Sequence, residues 1–149
     1  MMGRVLAVDP GEKRLGIAIS DETGTLATPV MVINHTSLEN DVKIITQLIK
    51  ERSIVLVIVG TTVSIDGSEL PQTRHARRVS EEIHARANIP VILWDEWGST
   101  QAARAARLAS GAPRSKRGGH LDDVAAALIL QSYLDSRPHA EQMAQRSGE

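Results

Sequence analysis

The most restrictive feature of this chain is the segment IVLVIVG at residues 54–60, which carries no polar side chain. Strands that are apolar throughout are covered on both faces, and they lie inside parallel sheets flanked by helices. Apolar residues at helical spacing precede this segment in residues 37–52, with Ser37 as the predicted N-cap. An amphipathic helix is predicted after it, over residues 71–87. The segment therefore predicts a central parallel strand in an α/β fold.

The amino-terminal part of the chain predicts antiparallel strands instead. Residues 4–9 and 15–20 read as strands joined by a Pro10-Gly11 turn, and residues 25–34 read as a third strand. The remaining predicted elements are a buried strand over 89–96, helices over 99–109 and 121–135, and a loop over 110–119. This order of strands and helices predicts a mixed five-stranded sheet flanked by helices.

Length and composition predict one domain over residues 1–136, followed by a polar, flexible tail over 137–149. The chain has 149 residues, of which 42% are hydrophobic, so it can bury a real core. It has no cysteine, which excludes disulfides, thiolate metal sites and a cysteine nucleophile. There is no signal-peptide pattern, and the longest aliphatic run is too short to span a bilayer. We therefore expect a cytoplasmic protein with no membrane contact.

Basic residues are concentrated in two segments although the net charge is only −1. No acid lies between Trp97 and Leu121, and Arg74 to Arg78 read RHARR. The basic residues of the first segment are Arg104, Arg107, Arg114, Lys116 and Arg117. Such a distribution can hold phosphates on one face of a protein that is acidic overall. The alternative is that these side chains are solvated surface positions.

Carboxylates stand at the ends of the predicted elements. Asp9 ends the first strand, Asp95 and Glu96 end the last strand, and Asp122 and Asp123 open the last helix. In such sheets ligands collect at the carboxyl ends of strands, and Mg²⁺ or Mn²⁺ prefers oxygen ligands. The pattern predicts a carboxylate metal site. Each acid alone could instead serve a turn, a solvated strand end or a helix dipole.

Three further positions allow two interpretations each. His120 is either a fourth ligand or proton shuttle, or an exposed loop residue. Gly60 either lets a backbone approach a phosphate or belongs to an ordinary loop. Thr100 either serves the site or caps a helix.

Four blocks of sequence, in order, carry a family resemblance. DPGEKRLGIAISD, IVGTTVSIDGSE, DEWGST and LDDVAAALILQSYLD resemble the YqgF family, over residues 4–134. These are small bacterial proteins with a ribonuclease-H-like fold. They are described as Holliday junction resolvases and as nucleases that process the 16S rRNA precursor. The resemblance implies the same fold here.

The resemblance also implies a site. The family's catalytic acids match Asp9, Glu96 and Asp122, which would hold Mg²⁺ or Mn²⁺, as two ions, for phosphodiester hydrolysis by a metal-activated water. Asp9 would bridge the metals, Asp95 would support the site from outside, and Asp123 ranks below Asp122. The residues expected to contact the substrate are Lys13, Arg14, Thr100, Lys116 and Arg117.

One departure from the family bears on the substrate. The family usually has Arg-Leu where this chain has Trp97-Gly98, so a phosphate-facing cation is replaced by an indole. Trp97 either stacks on an exposed base, which is worth roughly 1–3 kcal/mol, or packs on a neighbouring helix.

The leading interpretation is a metal-dependent nuclease that processes the 5′ end of the 16S rRNA precursor in ribosome biogenesis. The alternative is a Holliday junction resolvase acting on four-way DNA. Resolvases usually act as symmetric dimers. The sequence shows no clear dimer face, which predicts a monomer or weak homodimer and favours precursor RNA as the partner. A third interpretation is a non-catalytic nucleic-acid-binding factor in transcription or ribosome assembly. A fourth, an actin-like ATPase fragment, would need two such domains.

Overall fold

The computed structural model describes residues 3–61, 70–95 and 122–148, the last range with side chains for 123–136. Within these ranges the elements are β1 (Arg4–Pro10), β2 (Arg14–Ser20), β3 (Ala27–Asn34), α1 (Leu38–Glu51), β4 (Ile54–Thr61), α2 (Pro71–Ala87), β5 (Val91–Asp95) and α3 (Asp122–Gly148). The predicted order of elements is confirmed as far as the structure describes it. The helix predicted over 99–109 and the loop over 110–119 lie outside the described residues.

The strands form one sheet in the order β3-β2-β1-β4-β5. β1 pairs antiparallel with β2, and β2 antiparallel with β3, while β4 pairs parallel with both β1 and β5. The predicted mixed five-stranded sheet is therefore confirmed. β1 and β4 lie inside the sheet, which explains why both are almost wholly apolar.

Alternation along the strands divides the core into two layers. Leu6 and Val8 of β1 face the layer that contains α1 and α2, whereas Val5 and Ala7 face the layer that contains α3. The helix residues that fill the first layer include Val42, Ile45, Val79 and Ile83, and those that fill the second are Ala126, Ile129, Leu130 and Leu134. Helices thus cover both faces of the central strands.

Helix ends follow local signals in the sequence. The hydroxyl of Ser37 accepts a hydrogen bond from the Asn40 amide at 3.1 Å, which confirms the predicted N-cap of α1. Pro71 opens α2, where its missing N–H costs nothing. Asn88 ends α2 in the left-handed conformation, at φ 57°.

The strand predicted over residues 89–96 is confirmed as β5, but the prediction that it is buried is wrong. β5 is the edge of the sheet, and within the described residues Ile92 and Leu93 are 37% and 38% exposed. Val91 packs on the α2 layer and Trp94 on the α3 layer. Both faces of β5 therefore have apolar neighbours, although Ile92 and Leu93 are partly exposed to solvent. A run of apolar residues by itself does not distinguish an edge strand from a central strand.

The last helix is longer than predicted. α3 continues to Gly148, so its backbone extends through most of the segment expected to be a tail; the flexibility of residues 137–149 stays a prediction. In the part of the chain that the structure describes, we find no helix with the length and apolarity needed to cross a bilayer.

Candidate active site

Asp9 is a buried acid near the end of a central strand. It pairs with Gly16 of β2, and its carboxylate side chain is on the same face as Val5 and Ala7, the face covered by α3. Asp9 is only 3% exposed. Burial of a carboxylate is costly unless hydrogen bonds or cations stabilise it, so this position favours an acid with a specific function.

α3 contacts the sheet on the face that Asp9 occupies. Ile129 lies against Gly60, near the carboxyl end of β4. Two residues later, Gln131 Oε1 accepts a hydrogen bond from the amide of Ala27, at 2.9 Å, at the opposite end of the sheet. α3 therefore lies across the face of the sheet that Asp9 occupies. The pairing of Asp9 with Asp122, whose side chain is outside the described set, stays a prediction.

Gly60 lies in a strand rather than in a loop. It lies inside β4, and a Cβ added there would come within 2.6 Å of Ile129 Cδ1. The missing side chain therefore leaves room for α3 to pack closely on the sheet. The expectation of a loop at Gly60 is wrong, and the approach of its backbone to a phosphate stays a prediction.

Two neighbouring acids differ from Asp9 in their surroundings. Trp94 packs in the α3 layer, so Asp95, the next residue on β5, points to the opposite face from Asp9. Asp123 is half-buried, and its Oδ1 accepts a hydrogen bond from the Val124 amide at 2.9 Å. The ranking of Asp123 below Asp122 and the supporting role of Asp95 stay predictions, and Asp95 does not share the face of Asp9.

The turn after Asp9 presents two cations to solvent. The amide of Gly11 donates a hydrogen bond to the Asp9 carbonyl at 3.1 Å, and β2 begins at Arg14. Lys13 and Arg14 are both exposed. They are the predicted substrate contacts for which the structure describes side chains, and their contact with a substrate stays a prediction.

Substituting alanine for Gly11 is expected to disturb this turn. A Cβ there would lie 2.3 Å from the Arg14 carbonyl oxygen, which is backbone and must shift. We expect a loss of about 1–3 kcal/mol in the free energy of unfolding, measured in urea, and a larger relative loss of substrate affinity. Gly24→Ala is the matched control, because Gly24 has φ 71° in the turn at the other end of β2. If both variants lose stability and affinity alike, Gly11 has no special link to the site.

Two histidines beneath this turn were not predicted as functional. The backbone amide of His35 donates to the Lys13 carbonyl at 2.9 Å, and its Nδ1 contacts Oδ2 of Asp41, which is 2% exposed. The ring of His75 lies edge-to-face with that of His35, with centroids 6.4 Å apart. No sequence motif links these residues, because only the packing of α1 and α2 brings them together.

The surroundings of His75 affect its titration. Burial lowers the pKa of His75 below its ordinary value of 6.5, and the charges of His35 and Arg78 lower it further. Asp41 and a hydrogen bond to the Gly11 backbone raise the pKa by less.

The lowered pKa of His75 predicts a dependence of stability on pH. The unfolded chain binds a proton at His75 more tightly than the folded protein does. The free energy of unfolding should therefore fall as pH drops below about 6.5 toward the lower folded-state pKa. Urea titrations at pH 5 and 7.5 should show a smaller pH effect in His75→Gln than in the original chain; an equal effect would contradict this.

The other predicted site residues lie outside the described residues. They are Glu96, Trp97, Thr100, Lys116, Arg117 and His120. Within the described ranges, no three acidic or histidine side chains gather to hold a metal ion. Of the predicted triad, these ranges include only the Asp9 side chain.

Solved structures of low sequence identity share this fold. Thermus thermophilus RuvC aligns over 91% of this chain and 96% of its own, with a TM-score of 0.56 at 16% identity. The fowlpox virus Holliday junction resolvase aligns over 89% and 99%, with a TM-score of 0.50 at 19% identity. These likenesses confirm the ribonuclease-H-like fold.

Comparison by sequence identifies the family. A Syntrophus aciditrophicus protein named "Putative pre-16S rRNA nuclease" is 40% identical over 133 residues, 89% of each chain. A Caldanaerobacter subterraneus protein of the same name is 38% identical over 138 residues, 92% of this chain and 99% of its own. The family model described as "RuvX: Holliday junction resolvase" matches residues 3–136. The YqgF resemblance is thereby confirmed, and the chain belongs to the RuvX family.

Proposed function

We propose that this protein is a metal-dependent nuclease that hydrolyses phosphodiester bonds in the 16S rRNA precursor, in the cytoplasm, during ribosome biogenesis. The observation that carries the proposal is the burial of Asp9 at the end of a central strand, on the face that α3 covers. Support comes from two relatives named for this activity, which match at 38% and 40% identity over most of both chains.

The Asp9 position fits a divalent metal ion. A carboxylate oxygen is the ligand that Mg²⁺ and Mn²⁺ prefer, and a strand paired on both sides holds Asp9 rigidly. A cation beside a buried carboxylate also offsets the cost of burying its charge. We propose that Asp9, Glu96 and Asp122 hold two ions. Bound ions of this kind lower the pKa of a coordinated water and neutralise the charge that develops on the phosphate.

The remaining proposed roles belong to the chain itself. Lys13 and Arg14, exposed beside Asp9, would bind the phosphates that flank the cleaved bond. Thr100, Lys116 and Arg117 would extend this contact along the nucleic acid. We propose that the protein acts on RNA as a monomer or weak homodimer.

A direct test offers three substrates to the same protein preparation. These are a 5′-extended 16S precursor fragment, a single-stranded RNA of equal length and shuffled sequence, and a four-way DNA junction. We expect cleavage of the precursor fragment with Mg²⁺ or Mn²⁺, and none after addition of EDTA. Binding of the fragment without cleavage in either metal would contradict the nuclease and favour the non-catalytic binding factor.

The second candidate function is Holliday junction resolution. The observation that favours it is the description of the matched family, together with the fold shared with RuvC. Paired cuts across a junction need a symmetric dimer. Faster cleavage of the four-way junction than of RNA, by a protein that sediments as a dimer, would select this function over the first.

A further inference from the structure

The first two turns of α2 carry a cluster of cations that the proposed reaction does not use. Arg74, Arg77 and Arg78 lie there, the first turn contains no acid, and the first acid of the helix is Glu81. All three arginines are exposed. Arg77 already has an interaction within the fold, so Arg74 and Arg78 are the two cations to explain.

The positions of these two arginines do not favour the helix itself. Cations near the amino end of a helix oppose its dipole, and like charges four residues apart repel each other. Among the residues that the structure describes, neither Arg74 nor Arg78 forms an ion pair. Arg86, in the last turn of α2, instead pairs with Glu82 at 3.0 Å and with Glu39 at 3.8 Å. A bound anion would offset the repulsion between Arg74 and Arg78.

Packing places the start of α2 beside the turn between β1 and β2. The amide of His35 donates a hydrogen bond to the Lys13 carbonyl at 2.9 Å. The His35 ring lies edge-to-face with the ring of His75, with centroids 6.4 Å apart. His75 lies between Arg74 and Arg78 along α2, so a single residue, His35, separates the Lys13 backbone from this helix. The exposed cations of the turn and of α2 are therefore neighbours.

Acids near these cations leave the surface basic. Asp41 is 2% exposed and contacts His35 Nδ1, so its charge is buried. Glu12 and Glu81 are the exposed acids of the turn and of the following turn of α2. The exposed cations outnumber these two acids; they are Lys13, Arg14, Arg74, Arg77 and Arg78. A surface of this charge attracts phosphates.

We propose that Arg74 and Arg78 form a phosphate-binding site for the stretch of RNA that continues from the Asp9 edge onto α2. The site extends the contact proposed for Lys13 and Arg14, and it rests on the proposed function for its substrate. Arginine suits such a site because its guanidinium can form two parallel hydrogen bonds to a phosphate. RNA long enough to reach α2 should bind more tightly than RNA that ends at the Asp9 edge, whatever the sequence of the added nucleotides.

The test measures binding of a fluorescently labelled precursor RNA, in EDTA, to a chain carrying Arg74→Gln and Arg78→Gln. Two phosphate contacts to a single strand contribute about 1.4 to the slope of log Kd against log salt. We therefore expect the slope to become shallower by about one to two, and Kd at about 0.1 M salt to rise about 10- to 25-fold. The control carries Lys50→Gln and Arg86→Gln, which make the same change of charge in the last turns of α1 and α2.

Two comparisons separate a phosphate contact from general damage. A chain with Arg74→Lys and Arg78→Lys keeps both charges and should keep the salt slope. The glutamine variant should lose the gain in affinity that the original chain shows as the RNA is lengthened. Its melting temperature should not fall, because the substitutions remove a repulsion. An unchanged salt slope in the glutamine variant, an equal loss in the control, or loss of the slope in the lysine variant would overturn the proposal.

Binding in EDTA keeps this test independent of the nuclease assay. If the glutamine variant loses RNA affinity but the original chain cleaves no substrate with Mg²⁺ or Mn²⁺, the nuclease fails and the RNA site on α2 stands. If the original chain cleaves the precursor and the glutamine variant binds it with unchanged Kd and salt slope, the nuclease stands and the site on α2 fails.

Discussion

Asp9→Asn should lower the rate of phosphodiester hydrolysis by at least about a hundredfold at saturating metal. Loss of a residue that merely supports a metal ligand typically costs 10- to 100-fold, so loss of the proposed ligand itself should cost no less. Asparagine has the same shape but no charge, and removing a buried charge should not destabilise the fold. We therefore expect urea unfolding of the variant to match that of the original chain. Addition of Mn²⁺ should raise the melting temperature of the original chain and leave that of the variant unchanged.

Asp95→Asn provides the matched control. Asp95 also ends a strand at this edge, but its side chain points away from the face that Asp9 occupies. We expect it to retain activity within about threefold and to keep the stabilisation by Mn²⁺. Full activity in Asp9→Asn, or an equal loss in both variants, would remove the basis for a metal site at Asp9.

Leu130→Ala should lower the free energy of unfolding by about 2–5 kcal/mol. Leu130 is fully buried in α3, in the layer that also contains Val5, Ala7 and Ile58. Truncation there removes apolar contacts on the face of the sheet where Asp9 lies and leaves a cavity between α3 and the strands. Urea denaturation measures the loss.

The control for this change lies two residues away on the same helix. Leu128 is 59% exposed, so Leu128→Ala should change the free energy of unfolding by less than about 0.5 kcal/mol. Because both variants exchange the same residues in the same helix, helix propensity cancels between them. Equal losses would mean that α3 does not pack as described.

Much of the fold could be predicted because local signals mark the elements. α2 extends over the predicted residues, since Pro71 opens it and Asn88 closes it. The alternation of strands and helices was enough to predict a mixed sheet. The edge position of β5 was not predictable in the same way. The sequence VILW at residues 91–94 would be apolar in a central strand and in an edge strand alike. Only the order of the strands in the sheet shows which of the two it is.

Only some residues of the candidate site could be identified from the sequence. Asp9 was identifiable because a lone acid ended an apolar strand before Pro10. The contacts among His35, Asp41 and His75 had no such signal, since they are separated along the chain and meet only when α1 and α2 pack on one face. The family resemblance, rather than spacing, singled out Glu96 and Asp122, and their side chains lie outside the described residues.

The close contact between α3 and β4 has a consequence for how this sequence can change. Alanine at residue 60 would place its methyl carbon 2.6 Å from Ile129 Cδ1, which is the carbon that Ile129→Val removes. The two positions therefore share space for one methyl group. A substitution that adds a methyl at residue 60 becomes compatible with the fold when residue 129 loses one, so these distant positions should vary as a compensating pair.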